Sequence, residues 1–144
     1  MIERTQYLDI LKRFKDKDLI KVITGIRRCG KSTLFELYIK YLKSLNIKKE
    51  NIISINLENP KYQFDNYMEL YKYIKSKIIN DEKYYVFLDE VQNIPQFQKA
   101  VDGLYINKNV DLYITGSNAL LLSGELATLL SRKIYRSKNV AIIF

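Results

Sequence analysis

The chain has 144 residues, 47% of them hydrophobic and 28% charged. That is enough apolar content for one domain with its own core, and it argues against disorder. One Cys and no His exclude an internal disulfide and argue against a zinc site.

No apolar run is long enough to cross a bilayer. The opening, MIERTQYLDI, is mixed and polar, unlike a secretory leader. A cytoplasmic location with no membrane partner is the expectation. The net charge of +8 raises the question of nucleic acid. The basic residues, however, are scattered over the polar faces of predicted helices. The chain is also rich in Lys, Ile, Asn and Tyr, whose codons are A/T-rich, so genome composition offers a second source for the Lys excess.

Residues 2 to 15 read as a helix, with Leu8, Leu11 and Phe14 on one face and Lys12, Arg13 and Lys15 on the other. It is either a packing helix or a cover over a nucleotide base. DKD at 16 to 18 makes a turn. Leu19 to Thr24 then reads as an apolar strand, followed by a loop and a helix opening at Lys31. The loop fits G-x-x-x-x-G-K-[ST], with Gly25, Gly30, Lys31 and Ser32 at the fixed positions. Gly25 and Gly30 let the backbone curl without a clashing Cβ. Curled N–H groups and a helix N-terminus make a concave anion site. Lys31 reaches the β- and γ-phosphates as a point charge, and Ser32 offers a hydroxyl to Mg²⁺. The expected nucleotide contacts are Gly25, Ile26, Arg27, Arg28, Cys29, Gly30, Lys31, Ser32 and Thr33. Arg27 and Arg28 either bind phosphate oxygens or face solvent. Cys29, beside a helix N-terminus, reads as a small loop filler ahead of a redox switch.

Further along, Leu34, Leu37, Tyr38, Tyr41, Leu42 and Leu45 keep a helical period. Ile52 to Leu57 is a second strand, and ENPKYQF breaks regular structure at Pro60. Tyr67, Leu70, Tyr71, Ile74 and Ile78 mark another amphipathic helix. Tyr84 to Leu88 is a buried strand by composition. Pro95 suits the first position of the next helix, whose apolar face is Phe97, Val101, Leu104 and Tyr105. Val110 to Thr115 is a fourth strand, and Asn118 to Ser131 has a helical pattern. Strands alternating with helices predict a parallel sheet covered on both faces.

Strand YYVFL runs into Asp89 and Glu90. An acid at the carboxyl end of a parallel strand, beside a phosphate loop, can hold Mg²⁺. The next acid can orient and deprotonate an attacking water. Asp89 is therefore the expected metal residue with Ser32, and Glu90 the expected catalytic base. The fourth strand ends in ITGSNA, where a polar side chain can touch the γ-phosphate. Asn118 is the first choice, ahead of Ser117 and Thr115, although Ser117 and Asn118 also suit a helix N-cap.

GIRRCGKST, VFLDEVQNIPQF and YITGSNALLLSGELATLL together resemble the prokaryotic AAA-type ATPases, from about Met1 to Ser131. The resemblance implies a three-layer α-β-α P-loop NTPase core of the ASCE type, with sheet order 5-1-4-3-2. It also implies ATP and Mg²⁺ as cofactors. Ser32 and Asp89 take the Mg²⁺ positions, Glu90 that of the catalytic glutamate and Asn118 the polar sensor. Family members are longer, so a DNA or protein partner would be engaged through a C-terminal region not in this chain.

In the family, ELATLL is typically followed by something like TGRY and a further strand. Here the chain reads SRKIYRSKNVAIIF. One back-translation of Arg132 to Arg136, shifted by one base, gives Gly-Arg-Tyr-Ile. A frameshift after about Ser131 is therefore the expectation; it requires an AGG codon at Arg132 and an AGY codon at Ser137. On this reading residues 1–131 are an incomplete ATPase core and 132–144 an aberrant tail. The fifth strand would be missing, leaving an open edge, or replaced by the β-prone NVAIIF. Arg132 is the nearest arginine-finger position, but it lies at the suspected shift and is not adopted. The functional expectation is Mg²⁺-dependent ATP binding and hydrolysis. The alternatives are a non-catalytic ATP-binding fragment and a small P-loop kinase.

Overall fold

The computed structural model describes residues 4–23, 31–117 and 140–143. Helix α1 (Arg4–Phe14) precedes strand β1 (Ile20–Ile23) and helix α2 (Lys31–Ser44). Strand β2 (Ile52–Asn56), helix α3 (Tyr67–Lys77), strand β3 (Tyr84–Asp89), helix α4 (Phe97–Tyr105) and strand β4 (Val110–Thr115) follow. Strand β5 (Val140–Ile143) completes a five-stranded sheet in the order β2-β3-β4-β1-β5, with every pair parallel. This is the 5-1-4-3-2 order that the family resemblance implied.

The alternation of side chains along each strand builds two cores. Ile20, Val22, Ile53, Ile55, Val86, Leu88, Leu112 and Ile114 face α3 and α4 through Leu70, Ile74, Phe97 and Val101. Ile23, Tyr85, Phe87 and Tyr113 face the other way, against Leu34, Phe35, Tyr38 and Leu42 of α2 and Leu11 of α1. A strand apolar on both faces is what a doubly covered parallel sheet requires. Helix α1 packs through Leu11, with Tyr7, Leu8, Ile10 and Phe14 against the same cluster. Helices α3 and α4 approach closely at Gly103, where an added Cβ would stand 2.9 Å from the Tyr71 ring.

Of the two expectations for the fifth strand, the structure shows the replacement: Ile20–Ile23 pairs in register with Val140–Ile143, which lies within NVAIIF. One expectation is corrected: Pro95 does not begin α4. The helix starts at Phe97, after Gln96 in a left-handed conformation (φ 55°). Asn118 to Ser131, expected to be helical, lies outside the described residues. Among the described residues, no helix is long and apolar enough to cross a membrane.

Polar side chains gather at the amino end of the sheet, on the α2 face. Lys21 and Asp111 form an ion pair with both side chains fully buried. Lys21 Nζ also donates to the Lys17 carbonyl (2.6 Å). Asp111 Oδ2 accepts from the Tyr113 hydroxyl (2.8 Å) and the Asp16 N–H (2.9 Å). Burial pushes the Lys21 ammonium below its ordinary pKa, and the Asp111 charge works against that shift. Burial pushes the Tyr113 phenol upward, and Asp111 adds to the effect.

Candidate active site

The carboxyl ends of the strands meet at one level. Asn56 pairs with Asp89 across β2 and β3, and Ile23 of β1 pairs with Thr115 of β4 and with Ile143 of β5. Asp89 and Thr115 close the row, since the preceding pair is Leu88 with Ile114. Residues 24–30, which hold Gly25, Ile26, Arg27, Arg28, Cys29 and Gly30, lead from this level to α2. They lie outside the described residues, as does Asn118. Helix α2 begins at Lys31, so Lys31, Ser32 and Thr33 form its first turn. The helix that follows β1 lies on one face of the sheet, and those that follow β2 and β3 lie on the other. That reversal opens a crevice at the strands' carboxyl ends, the usual ligand site of an open α/β sheet.

Asp89 ends β3 and is 5% exposed. Its Oδ1 accepts a hydrogen bond from the Thr115 hydroxyl. The same hydroxyl oxygen accepts from the Glu90 N–H (2.9 Å). One side chain of β4 therefore ties together both acids at the end of β3. Glu90 sits in the left-handed region (φ 61°, ψ 55°), which costs a non-glycine residue about 1–2 kcal/mol. A single turn of 3₁₀ helix, Val91–Asn93, follows. From it, Gln92 Nε2 donates to Glu90 Oε1 (2.9 Å) and Asn93 Nδ2 to the Glu90 carbonyl (3.1 Å). The kink turns the chain out of the sheet immediately after Asp89. A cavity of about 130 Å³ adjoins Asp89, bounded by Phe35, Glu36 and Ile39 of α2 and by Ser54 and Asn56 of β2.

Asp89 thus stands where the sequence put it, at the end of the third strand, with Glu90 next to it. Thr115, ranked behind Asn118 from sequence, is the described residue of β4 that touches both acids. Gln92 and Asn93 drew no attention in the sequence. Their signal was proximity: two amide side chains within three residues of a strand-ending acid pair.

A parallel α/β sheet in this order, with a helix opening after β1 and an acid pair ending β3, defines a P-loop nucleotide-binding core. A family model described as AAA domain matches residues 17–141, and the chain belongs to that family. An uncharacterised protein of Haemophilus influenzae is 44% identical over 146 residues, covering 100% of this chain and 36% of its own length. An uncharacterised protein of Methanocaldococcus jannaschii is 31% identical over 130 residues, covering 87% of this chain and 27% of its own length. The chain therefore spans roughly a third of the length of these curated relatives.

Among solved structures, a DNA polymerase III gamma subunit-related protein of Thermotoga maritima superposes with a TM-score of 0.63 at 14% identity, over 96% of this chain and 46% of that one. A chain from a structure of Drosophila ORC bound to AT-rich DNA and Cdc6 gives 0.62 at 12% identity, over 97% and 53%. Identities this low establish the fold alone. The chain has the fold of the nucleotide-binding AAA ATPases.

Proposed function

We propose that this chain binds Mg²⁺-ATP and hydrolyses its β–γ phosphoanhydride. The observation that carries the reading is the Asp89–Thr115–Glu90 cluster, at the level where β1 ends and the chain departs toward α2. In this reading the amides of residues 25–30 and the Lys31 ammonium hold the phosphates. Arg27 and Arg28 supplement them, and Ile26, Cys29 and Thr33 complete the contact surface. Asp89 supplies a hard carboxylate oxygen of the kind Mg²⁺ takes, and the Ser32 hydroxyl is the second protein ligand. Bound Mg²⁺ would neutralise charge building on the β- and γ-phosphates. Glu90 takes the proton of a water whose oxygen bonds to the γ-phosphorus, while the bond to the β-phosphate oxygen breaks and ADP leaves. Asn118, three residues after β4 in the sequence, reads the γ-phosphate in this reading.

Residues 1–131 form the core in this reading, and β5 from the following tail completes its sheet. The work that hydrolysis drives, on DNA or on protein and in the cytoplasm, is assigned to the part of the longer relatives that this chain does not span.

Lys31→Ala is expected to weaken Mg²⁺-ATP binding by about tenfold to a hundredfold, since charge-assisted hydrogen bonds contribute about 1.5–3 kcal/mol each. Titration calorimetry on the purified chain measures it. Equal affinity in Lys31→Ala and the parent chain would refute the phosphate-loop assignment.

A further inference from the structure

Strand β2 is an edge of the sheet, with β3 on one side and, among the described residues, no strand on the other. Its ladder fixes which peptide groups point outward. The Leu57 N–H donates to the Asp89 carbonyl on β3 (2.9 Å). Ile55 and Ile53 share that orientation, because peptide direction alternates along a strand. The N–H and C=O of Ser54 therefore point away from the sheet, and no hydrogen bond to them occurs among the described residues.

A groove of about 550 Å³ runs along this edge. Tyr62, Tyr73 and Ile79 line it together with Lys49, Lys61 and Lys77, against the single acid Glu50. Ile79 is 77% exposed. Edge strands are commonly guarded by a charge or a proline on the strand itself. Here the strand reads IISIN and carries neither. The lysines stand around the groove, where they attract acids without blocking the edge.

We propose that this edge takes up an extended, acidic peptide segment of a partner protein as an added strand. Its backbone would pair with the Ser54 peptide groups. The side chains on one face of the added strand would enter the groove, apolar ones against Tyr62, Tyr73 and Ile79 and acidic ones against Lys49, Lys61 and Lys77. Single-stranded nucleic acid suits the groove less well, because the aromatic rings are already engaged. Tyr62 stacks on Phe64 (6.4 Å, 12°), and Tyr73 packs against both. Lys61 and Lys77 lie over the Tyr62 and Tyr73 rings at 5.4 and 5.0 Å. The nucleotide reaction plays no part in this inference.

The test is fluorescence anisotropy with a labelled seven-residue valine–glutamate peptide, Val-Val-Glu-Glu-Val-Val-Glu, which presents both residue types on each face of a strand. The same peptide N-methylated at alternate amides, a valine–lysine peptide and an oligothymidylate serve as comparisons. The valine–glutamate peptide is expected to bind. Lys61→Glu/Lys77→Glu should weaken it by about tenfold or more. Ser54→Pro removes an outward N–H, a change that edge strands tolerate, and should abolish binding with the unfolding midpoint kept. Should that variant fail to fold, the N-methylated peptide tests the same hydrogen bonds on the parent chain and is expected not to bind. Equal binding of the N-methylated peptide would reduce the contact to charge attraction and overturn the proposal. So would absence of binding by the parent chain, or preference for the oligothymidylate lost in Lys61→Glu/Lys77→Glu.

Discussion

Glu90→Gln is expected to leave ATP affinity within about twofold and to slow phosphate release by about 10²–10⁴-fold, the range for loss of a positioned general base. The substitution keeps the acceptor that Gln92 Nε2 engages (2.9 Å), and it leaves the backbone N–H on Thr115. It removes the carboxylate that takes the proton in the proposed reaction. Thr115 supplies an internal check on the same prediction. Its hydroxyl donates to Asp89 and accepts from the Glu90 N–H, so Thr115→Val strips both acids of their common partner. Groups that orient a metal ligand typically matter by about 10–100-fold. Thr115→Val should therefore lower turnover by that factor and raise the Mg²⁺ concentration needed for half-maximal rate. Thr115→Ser, which restores the hydroxyl, should recover most of both. Single-turnover phosphate release at varied Mg²⁺ separates these effects. Turnover in Glu90→Gln equal to that of the parent chain would remove Glu90 from the chemistry. A Thr115→Val defect that Ser leaves unrepaired would make the residue a matter of packing.

The elements of this fold were legible because each is written locally. Val110 to Thr115 was read with the bounds the structure shows. Tyr84 to Leu88 fell one residue short, because Asp89 pairs with Asn56 although it looks like the start of a loop. The 5-1-4-3-2 order did not come from pattern. No periodicity tells a strand which neighbour to take, and the order came with the family resemblance. Partnerships across the sheet were illegible for the same reason. Thr115 meets Asp89 only because β3 and β4 lie side by side in one register. The left-handed conformation of Glu90 was also hidden, since nothing in DEVQN names a residue that favours it. Pro95 misled in a simple way: it fits the start of a helix, but Gln96 turns the other way first, so α4 begins two residues later.

Asp111→Ala is expected to cost about 3–5 kcal/mol, the range for removing one partner of a buried ion pair. Domains of this size are stable by about 5–15 kcal/mol, so the loss is a large fraction of the total. The structure makes the two halves of the pair unequal. Asp111 gathers three donors: the Lys21 ammonium, the Tyr113 hydroxyl and the Asp16 N–H. Removing its carboxylate leaves a buried cation with the Lys17 carbonyl as its remaining acceptor among the described residues, and takes a partner from two further donors. Lys21→Met fills the same space with apolar atoms and leaves Asp111 with the Tyr113 and Asp16 donors still in place. It should therefore cost clearly less than Asp111→Ala. The pair stands at the opposite end of the strands from Asp89. Lys21→Met should accordingly leave ATP affinity unchanged while lowering the denaturation midpoint. Urea unfolding of the two variants beside the parent chain decides the ordering. Equal losses would mean that the ion pair, and not the three-donor arrangement on Asp111, sets the energetics of this end of the sheet.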